Sequence, residues 1–164
     1  MATKAMTNSS ASVYSIQPQR RGRESDWAVH RLIVQNPDYA WSETVMGKLD
    51  ELMQLPKGWD GYSGKSVDFS IAYFAANLLQ AIYVPGAPCP SLVPGSDGTL
   101  QIEWHSCGLD IELDILGVNK VDCVMTDLDK GGEEEAKLTV DFKIVRIWID
   151  EMAKRAADAV PAAA

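Results

Sequence analysis

Carboxylates recur at every second position in two neighbouring stretches of the sequence, and a histidine lies among them. Glu103 and His105 alternate with apolar residues in the first stretch, and Asp110, Glu112 and Asp114 do so in the second. Carboxylate oxygens suit Mg²⁺ or Mn²⁺, so a small metal-dependent hydrolase using Glu103, His105 and Asp110 is one hypothesis. The same alternation is ordinary for a strand with one solvated side, and no HxH or HExxH spacing accompanies it. The sequence therefore assigns no metal ligand, no catalytic residue and no cofactor.

A second group that could do chemistry is the aromatic turn Trp59-Asp60-Gly61-Tyr62. Two aromatic side chains around an Asp-Gly pair could line a ligand pocket. Alternatively, Asp60 bonds its own backbone in an Asx-type turn, and Trp59 and Tyr62 plug the edge of the core. Both groups enter our prediction of a partner-binding site, which consists of Glu103, Asp110, Glu112, Asp114, Trp59, Asp60 and Tyr62.

Other catalytic signatures are missing from the sequence. There is no GxSxG motif, and the glycine-rich segments lack the Lys-Ser/Thr pair of a phosphate-binding loop. The three cysteines, Cys89, Cys107 and Cys123, are scattered and odd in number, so they suggest neither a disulfide framework nor a metal site. We expect all three to be reduced thiols.

The elements that must position the carboxylates are strands. Apolar and polar residues alternate from Leu100 to Trp104 and again from Leu109 to Ile115, with Gly108 between them, which predicts a β-hairpin. The run Val121–Thr126 is predicted to add a third antiparallel strand. The predicted dry side of these strands consists of Leu100, Ile102, Trp104, Leu109, Ile111, Leu113, Ile115, Val121, Cys123 and Met125.

Three helices are predicted to cover that dry side. The first helix is predicted to begin near Ser42, which suits the N-cap position, and the second to span about Asp68 to Tyr83. An extended connector with four prolines follows at Val84–Gly98. The third helix is expected from Glu133 to about Ala157, although Leu138–Phe142 is alternatively a fourth strand. The predicted fold class is α+β, with an antiparallel β-meander of three or more strands packed on one face by three helices.

The remaining segments set the domain boundaries. Residues 1–26, which contain Arg20, Arg21 and Arg23, are predicted to be a disordered tail. Residues 27–158 form a single α+β domain in this prediction, with Trp27–Gln35 as a short helix or an edge strand, and residues 159–164 as a frayed C-terminus. No apolar run approaches the ~20 residues of a membrane span, and the first residues lack an apolar export signal. We therefore expect no membrane association and a cytoplasmic location.

Charge is distributed unevenly along the chain. Its net charge is −8, but the segment from Asp97 to Glu135 contains eleven acidic residues and two lysines, a net charge of −9. The rest of the chain is therefore close to neutral, at +1. Nucleic-acid binding normally requires a basic surface, so we expect no direct nucleic-acid binding by the folded domain.

The middle third of the chain resembles a known arrangement. Leu55-Pro56-Lys57-Gly58-Trp59-Asp60-Gly61-Tyr62, an alanine-rich helix, a proline-rich connector and Asp97-Gly98-Thr99-Leu100-Gln101-Ile102-Glu103-Trp104 follow one another. This order is similar to that of an uncharacterised family of small bacterial proteins with a GWDGYG turn and a DGxLxIEW hairpin. The family pattern continues with Gly-Ala-Pro, whereas Ser63-Gly64-Lys65 follows here. The resemblance implies a bacterial, mobile-element or phage context and transfers no catalytic residue.

Together these features favour a non-enzymatic interaction protein. An acidic sheet face attracts a cationic partner and competes with phosphates for it. The expected partner is a basic protein or nucleoprotein complex, and the context implied by the resemblance suggests an antitoxin or a phage-encoded inhibitor of a nucleic-acid-guided defence complex. The alternatives are the metal-dependent hydrolase and a structural homo-oligomer, such as a homodimer formed through Trp27–Val34 and the aromatic turn.

Overall fold

A computed structural model of the chain describes residues 39–159, which form three helices and one five-stranded antiparallel sheet. The strands lie in sequence order, so the sheet is a meander. These findings confirm the predicted α+β class. The predictions for residues 1–26, Trp27–Gln35 and residues 160–164 lie outside the described range. In chain order the elements are α1 (Ser42–Met53), α2 (Phe69–Ile82), β1 (Ser91–Pro94), β2 (Leu100–Ser106), β3 (Leu109–Gly117), β4 (Lys120–Asp127), β5 (Glu133–Leu138) and α3 (Lys143–Asp158).

The predicted hairpin and third strand are confirmed as β2, β3 and β4. Seven residue pairs join β2 to β3, from Leu100 opposite Ile115 to Ser106 opposite Leu109. The two residues between these strands, Cys107 and Gly108, have φ angles of 55° and 69°. Two consecutive positive φ values are typical of a type I′ turn, whose twist matches that of the strands it joins.

The two sides of the sheet differ in burial. The predicted dry-side residues of β2, β3 and β4 are all buried except Met125, which is half-buried. The opposite side is exposed or half-buried at every position, and we call it the open face. Cross-strand pairing places all its members on the same side. The open face consists of Ser91, Val93, Gln101, Glu103, His105, Asp110, Glu112, Asp114, Lys120, Asp122, Val124, Thr126, Glu133, Glu135 and Lys137.

The buried side of the sheet shares one hydrophobic cluster with the helices. Val45 and Leu49 of α1, Leu79 of α2 and Ile149 of α3 are its members, together with the dry residues of the strands. Removing this apolar area from water is the main driving force for folding. Within residues 39–159, no helix has the length and apolar character needed to cross a membrane.

The expected connector between α2 and the hairpin contains a strand that the sequence analysis did not predict. Ser91–Pro94 pairs with β2, and Leu92 is buried opposite Ile102. Proline is tolerated because β1 is an edge strand, whose outer backbone groups need no partner within the sheet. The segment is therefore partly extended connector, as expected, and partly sheet.

The prediction of one long C-terminal helix from Glu133 is wrong. Glu133–Leu138 is strand β5, paired with β4 along its whole length, and α3 begins only at Lys143. The three glutamates therefore lie in a strand and not at a helix N-terminus. The alternative prediction of a fourth strand at Leu138–Phe142 placed it too late, since β5 ends at Leu138. Phe142 occupies the cap position of α3, and just before it the Asp141 carboxylate accepts the backbone N–H of Lys143 at 3.0 Å.

The predicted N-cap at Ser42 is also wrong. Trp41 occupies the cap position of α1, and no side chain caps the helix. Trp41 is fixed there by its ring, which is buried against Tyr83 and donates its indole N–H to the Ala87 carbonyl at 3.1 Å. Tertiary packing therefore determines this helix start more strongly than capping preference. Asp68, where the second helix was expected to begin, occupies the cap position of α2 but makes no side-chain hydrogen bond there.

A charged cluster ties α3 to the far end of the β2–β3 hairpin. The Arg155 guanidinium donates to Asp127 at 2.5 Å, to Glu151 at 3.1 Å and to the Cys107 carbonyl at 3.4 Å. The bond from Arg155, followed by those from the backbone N–H groups of Lys130 and Asp129, holds the pKa of Asp127 well below its usual range. The helix and the hairpin turn are thus connected by charge-assisted hydrogen bonds.

Candidate functional site: the acidic open face

The structure brings the four predicted hairpin carboxylates together on the open face. Glu103 lies opposite Glu112, while Asp114 lies opposite Gln101 and Asp110 opposite His105. Neighbouring strands add Asp122, Glu133 and Glu135 to the same face, and Lys120 and Lys137 are its two lysines. With His105 neutral, seven carboxylates and two lysines give the open face a net charge of −5.

His105 is held between two of these carboxylates. Its Nδ1 contacts Asp110 Oδ1, and its Nε2 contacts Glu103 Oε2 at 3.2 Å. Hydrogen bonds that the protonated ring donates to Asp110 first, and then to Glu103, raise the pKa of His105 above its ordinary value. A metal-bound histidine needs a ring nitrogen with a free lone pair, and both nitrogens of His105 face carboxylates. Within residues 39–159, no group of three or more His, Cys, Asp or Glu side chains is arranged to hold a metal ion.

Like charges face each other at the opposite end of the open face. Asp114 on β3 lies directly across from Asp122 on β4, an unfavourable arrangement for two carboxylates. Asp122 is paired with Lys137 at 2.5 Å, whereas Asp114 has no side-chain hydrogen bond or ion pair among the described residues. Partial burial, followed by the charges of Asp122 and Glu103, raises the pKa of Asp114. Asp114 is therefore a carboxylate that a cation from outside can stabilise.

A shallow depression of about 390 Å³ lies at this end of the face. It spans β3, β4 and β5, so it is formed by the pleat and twist of three adjacent strands. Carboxylates supply most of its charged lining, and Val124 supplies apolar surface between them. Such a surface accommodates the apolar stem and charged head of a lysine or arginine side chain. The residues that line it are Glu112, Asp114, Asp122, Cys123, Val124, Glu135, Ala136 and Lys137.

The aromatic turn is a separate structure with its own hydrogen bonds. The Asp60 carboxylate accepts the backbone N–H groups of Tyr62 and Gly64, each at 2.9 Å, which confirms the Asx-type turn. The Trp59 indole donates to the Lys65 carbonyl at 2.7 Å. Trp59 is half-buried, but Tyr62 is 91% exposed, so the prediction that Tyr62 plugs the core edge is wrong.

The turn lies at the end of the sheet where β2 begins. The backbone N–H of Lys65 donates to the Ser96 carbonyl at 2.9 Å, and Ser96 belongs to the loop between β1 and β2. Asp114 pairs with Gln101 near that same end, whereas His105 lies at the other. Although the structure gathers the predicted carboxylates on one face, it keeps Trp59, Asp60 and Tyr62 in a distinct loop.

Replacing Asp60 tests how the loop presents Tyr62. The backbone N–H groups of Tyr62 and Gly64 lower the pKa of Asp60. The ionised Asp60 carboxylate therefore stabilises the fold above the ordinary pKa of Asp, and this stabilisation is lost as pH falls through the lowered pKa. We expect Asp60→Ala to lower the thermal midpoint at neutral pH and to weaken this pH dependence. Asp60→Asn keeps an acceptor oxygen and is expected to retain most of the midpoint. Calorimetry at a series of pH values measures both, and equal midpoints for the two variants would contradict a structural role for the carboxylate oxygen.

Five charged members of the open face, Lys120, Asp122, Glu133, Glu135 and Lys137, were not part of the site predicted from the sequence. Asp122 occupies a polar position of a strand that was predicted correctly, so its alternation with Val121 and Cys123 was a usable signal. Glu133, Glu135 and Lys137 were missed because their segment was assigned to a helix. A helix would have distributed these three around its axis, whereas a strand places them on one side.

The chain matches no protein-family model, no curated protein and no solved structure. The resemblance to the GWDGYG family therefore stays a prediction. Functional inference depends on the geometry and charge of the described residues.

Proposed function

We propose that this chain is a non-enzymatic interaction protein that docks its open face on a basic surface of a protein partner. The observation that carries the proposal is the separation of the sheet into a buried apolar side and an opposite side with seven carboxylates and two lysines. Such a concentration of charge accelerates encounter with a cationic partner and repels phosphates. It favours a protein or nucleoprotein partner over free nucleic acid.

The size of the open face bears on how much of the partner it covers. Seven paired residues on β2 and β3 extend it to about 24 Å, and five strands give it a width of about 19 Å. The resulting area of roughly 450 Å² is smaller than the roughly 800 Å² that each partner buries in a standard interface. Adjacent loops must contribute the remainder, and we include Trp59, Asp60 and Tyr62 among them. An exposed tyrosine on a hydrogen-bonded turn is a residue type enriched at interfaces.

The biological role we propose is inhibition of a complex whose basic surface normally binds nucleic acid. Carboxylates on the open face would occupy the positions of phosphates on that surface. Combined with the bacterial or phage context implied by the resemblance, this role corresponds to an antitoxin or to an inhibitor of a nucleic-acid-guided defence complex.

Competitive capture from the source cells tests this function. We expect the full chain, immobilised, to retain a basic nucleic-acid-binding protein that added polyanionic nucleic acid displaces. Glu112→Lys with Asp114→Lys is expected to lose the captured protein. The matched control is Glu43→Lys with Asp50→Lys, at exposed positions of α1. This control changes the total charge by the same amount and is expected to retain the captured protein. Recovery of the same protein by all three chains would contradict docking through the open face.

Two measurements on the purified chain distinguish the alternative hypotheses. A bound metal stabilises the folded state by an amount that grows with the logarithm of its free concentration above its Kd, so the hydrolase hypothesis requires a rise in melting temperature with Mg²⁺, Mn²⁺ or Zn²⁺. We expect no rise, because the ring nitrogens of His105 already face carboxylates. The homo-oligomer hypothesis requires a dimer mass in light scattering at micromolar concentration.

A further inference from the structure

We propose that His105 is a proton-operated regulator of the open face, which binds its cationic partner more strongly when His105 loses its proton. The inference rests on the proposed function and adds a control of its affinity. The carrying observation is that one imidazole bridges two carboxylates of the docking surface, Asp110 on β3 and Glu103 on its own strand.

The protonated imidazolium acts as an internal cation. When both ring nitrogens carry a proton, each donates to one carboxylate, and His105 neutralises part of the charge on the open face. The net charge of the face is then −4, compared with −5 when the ring is neutral. A neutral ring has only one N–H, so one carboxylate loses its donor and becomes available to a cation from the partner.

Among residues 39–159, the surroundings of His105 contain no other cation that could take over this role. On its own strand it meets Glu103, and from β3 it meets Asp110, with Glu112 next to Glu103 across the strands. Beyond Asp110, β4 presents the uncharged Thr126. The residues of β1, Ser91–Pro94, have no ionisable side chain. At the adjacent hairpin turn, Arg155 is bound to Asp127, Asp129 and Glu151.

Linkage fixes the direction of the effect. A cationic partner and the proton on His105 compete for the same two carboxylates, so each weakens the binding of the other by the same factor. Affinity for the partner therefore rises as pH increases through the titration of His105, which is displaced upward from the ordinary range. Since the His105 side chain is 53% exposed, the effect corresponds to one solvent-screened charge, about a two- to fivefold change in affinity.

Calorimetric titration with a synthetic oligo-arginine peptide, at pH values from about 5.5 to about 9, measures this dependence. The wild-type chain is expected to show the two- to fivefold increase. His105→Gln keeps a neutral polar side chain, and its affinity is expected to stay high across the range. His105→Arg keeps a permanent cation, and its affinity is expected to stay low. Asp114→Asn is expected to lower affinity at every pH and to preserve the increase, because it leaves the His105 bridge intact.

Nuclear magnetic resonance gives a readout that needs no partner. The chain has two histidines, His30 and His105, so the ring signal lost in His105→Gln identifies His105. Its midpoint is expected above the ordinary His value and is expected to fall when the peptide is added. If the affinity of His105→Gln depended on pH as that of the wild type does, the regulatory role of His105 alone would be overturned. If the wild type bound no peptide at any pH, the proposed function would be overturned, and the regulatory role with it.

Discussion

Replacing Glu112 and Asp114 with lysine is expected to reduce the association rate with a cationic partner by about 10- to 100-fold at low ionic strength. The two substitutions change the net charge of the open face from −5 to −1, and they do so on its central strand. They also place two lysines at the depression where Asp114 now lies without an ion pair. Stopped-flow fluorescence with a labelled oligo-arginine peptide measures the rate directly.

The salt dependence and a control of equal charge separate a local effect from a global one. The association rate of the wild-type chain is expected to fall steeply with salt, and that of the double variant is expected to depend on salt much less. Glu43→Lys with Asp50→Lys alters the total charge by the same amount on exposed positions of α1. If this control slows association as much as the sheet variant does, the net charge of the chain and not the open face governs binding.

The hairpin was predictable because two independent signals agree there. Alternation from Leu100 to Ile115 specifies which side is buried, and Gly108 supplies a turn residue at the point where the pattern breaks. A one-residue slip would move every apolar side chain of β3 to the open face, so burial fixes the register as well. Local sequence and long-range packing therefore favour the same structure.

The segment from Glu133 to Phe142 was mispredicted because its apolar residues fit both periods. Leu138 and Phe142 are spaced like the residues of a helical stripe that continues to Val145 and Ile149. The same two residues also belong to an alternating run that begins at Ala136, as in a strand. Pairing with β4 decides between the two structures, and that pairing is a tertiary interaction. β1 was missed for the same reason, since four residues ending in proline become a strand only when β2 lies beside them.

Residues of the candidate site were grouped correctly only where their strands were predicted correctly. Glu103, Asp110, Glu112 and Asp114 were grouped correctly because they depend only on the hairpin. The contributions of β5 required the correct strand assignment. Prediction of the bridge at His105 required the register of β2 against β3. The spacing of Glu103, His105 and Asp110 along the chain does not specify that Asp110 faces the imidazole, whereas a two-residue turn between the strands does.

Replacing Trp104 with alanine is expected to destabilise the fold by about 3–5 kcal/mol. Trp104 lies on β2 between Glu103 and His105, but its side chain is buried on the opposite side of the sheet. Its ring lies 6.0 Å from that of Trp41, and its indole N–H donates to the Pro88 carbonyl at 3.0 Å. A domain of this size is stable by only about 5–15 kcal/mol, so the loss is a large fraction of the total. Urea denaturation followed by far-ultraviolet circular dichroism measures it.

The matched variant Trp104→Phe separates packing from the hydrogen bond. It keeps an aromatic ring and removes the indole donor, so the expected loss is about 1–2 kcal/mol. Its affinity for the cationic peptide is expected to equal that of the wild type, because its carboxylates stay in place on the opposite side. The charge-reversed double variant is expected to show the converse, with weak binding and a urea midpoint close to that of the wild type. If Trp104→Phe weakened binding as strongly as charge reversal does, the two sides of the sheet would not be separable, and the open face would not act as an independent docking surface.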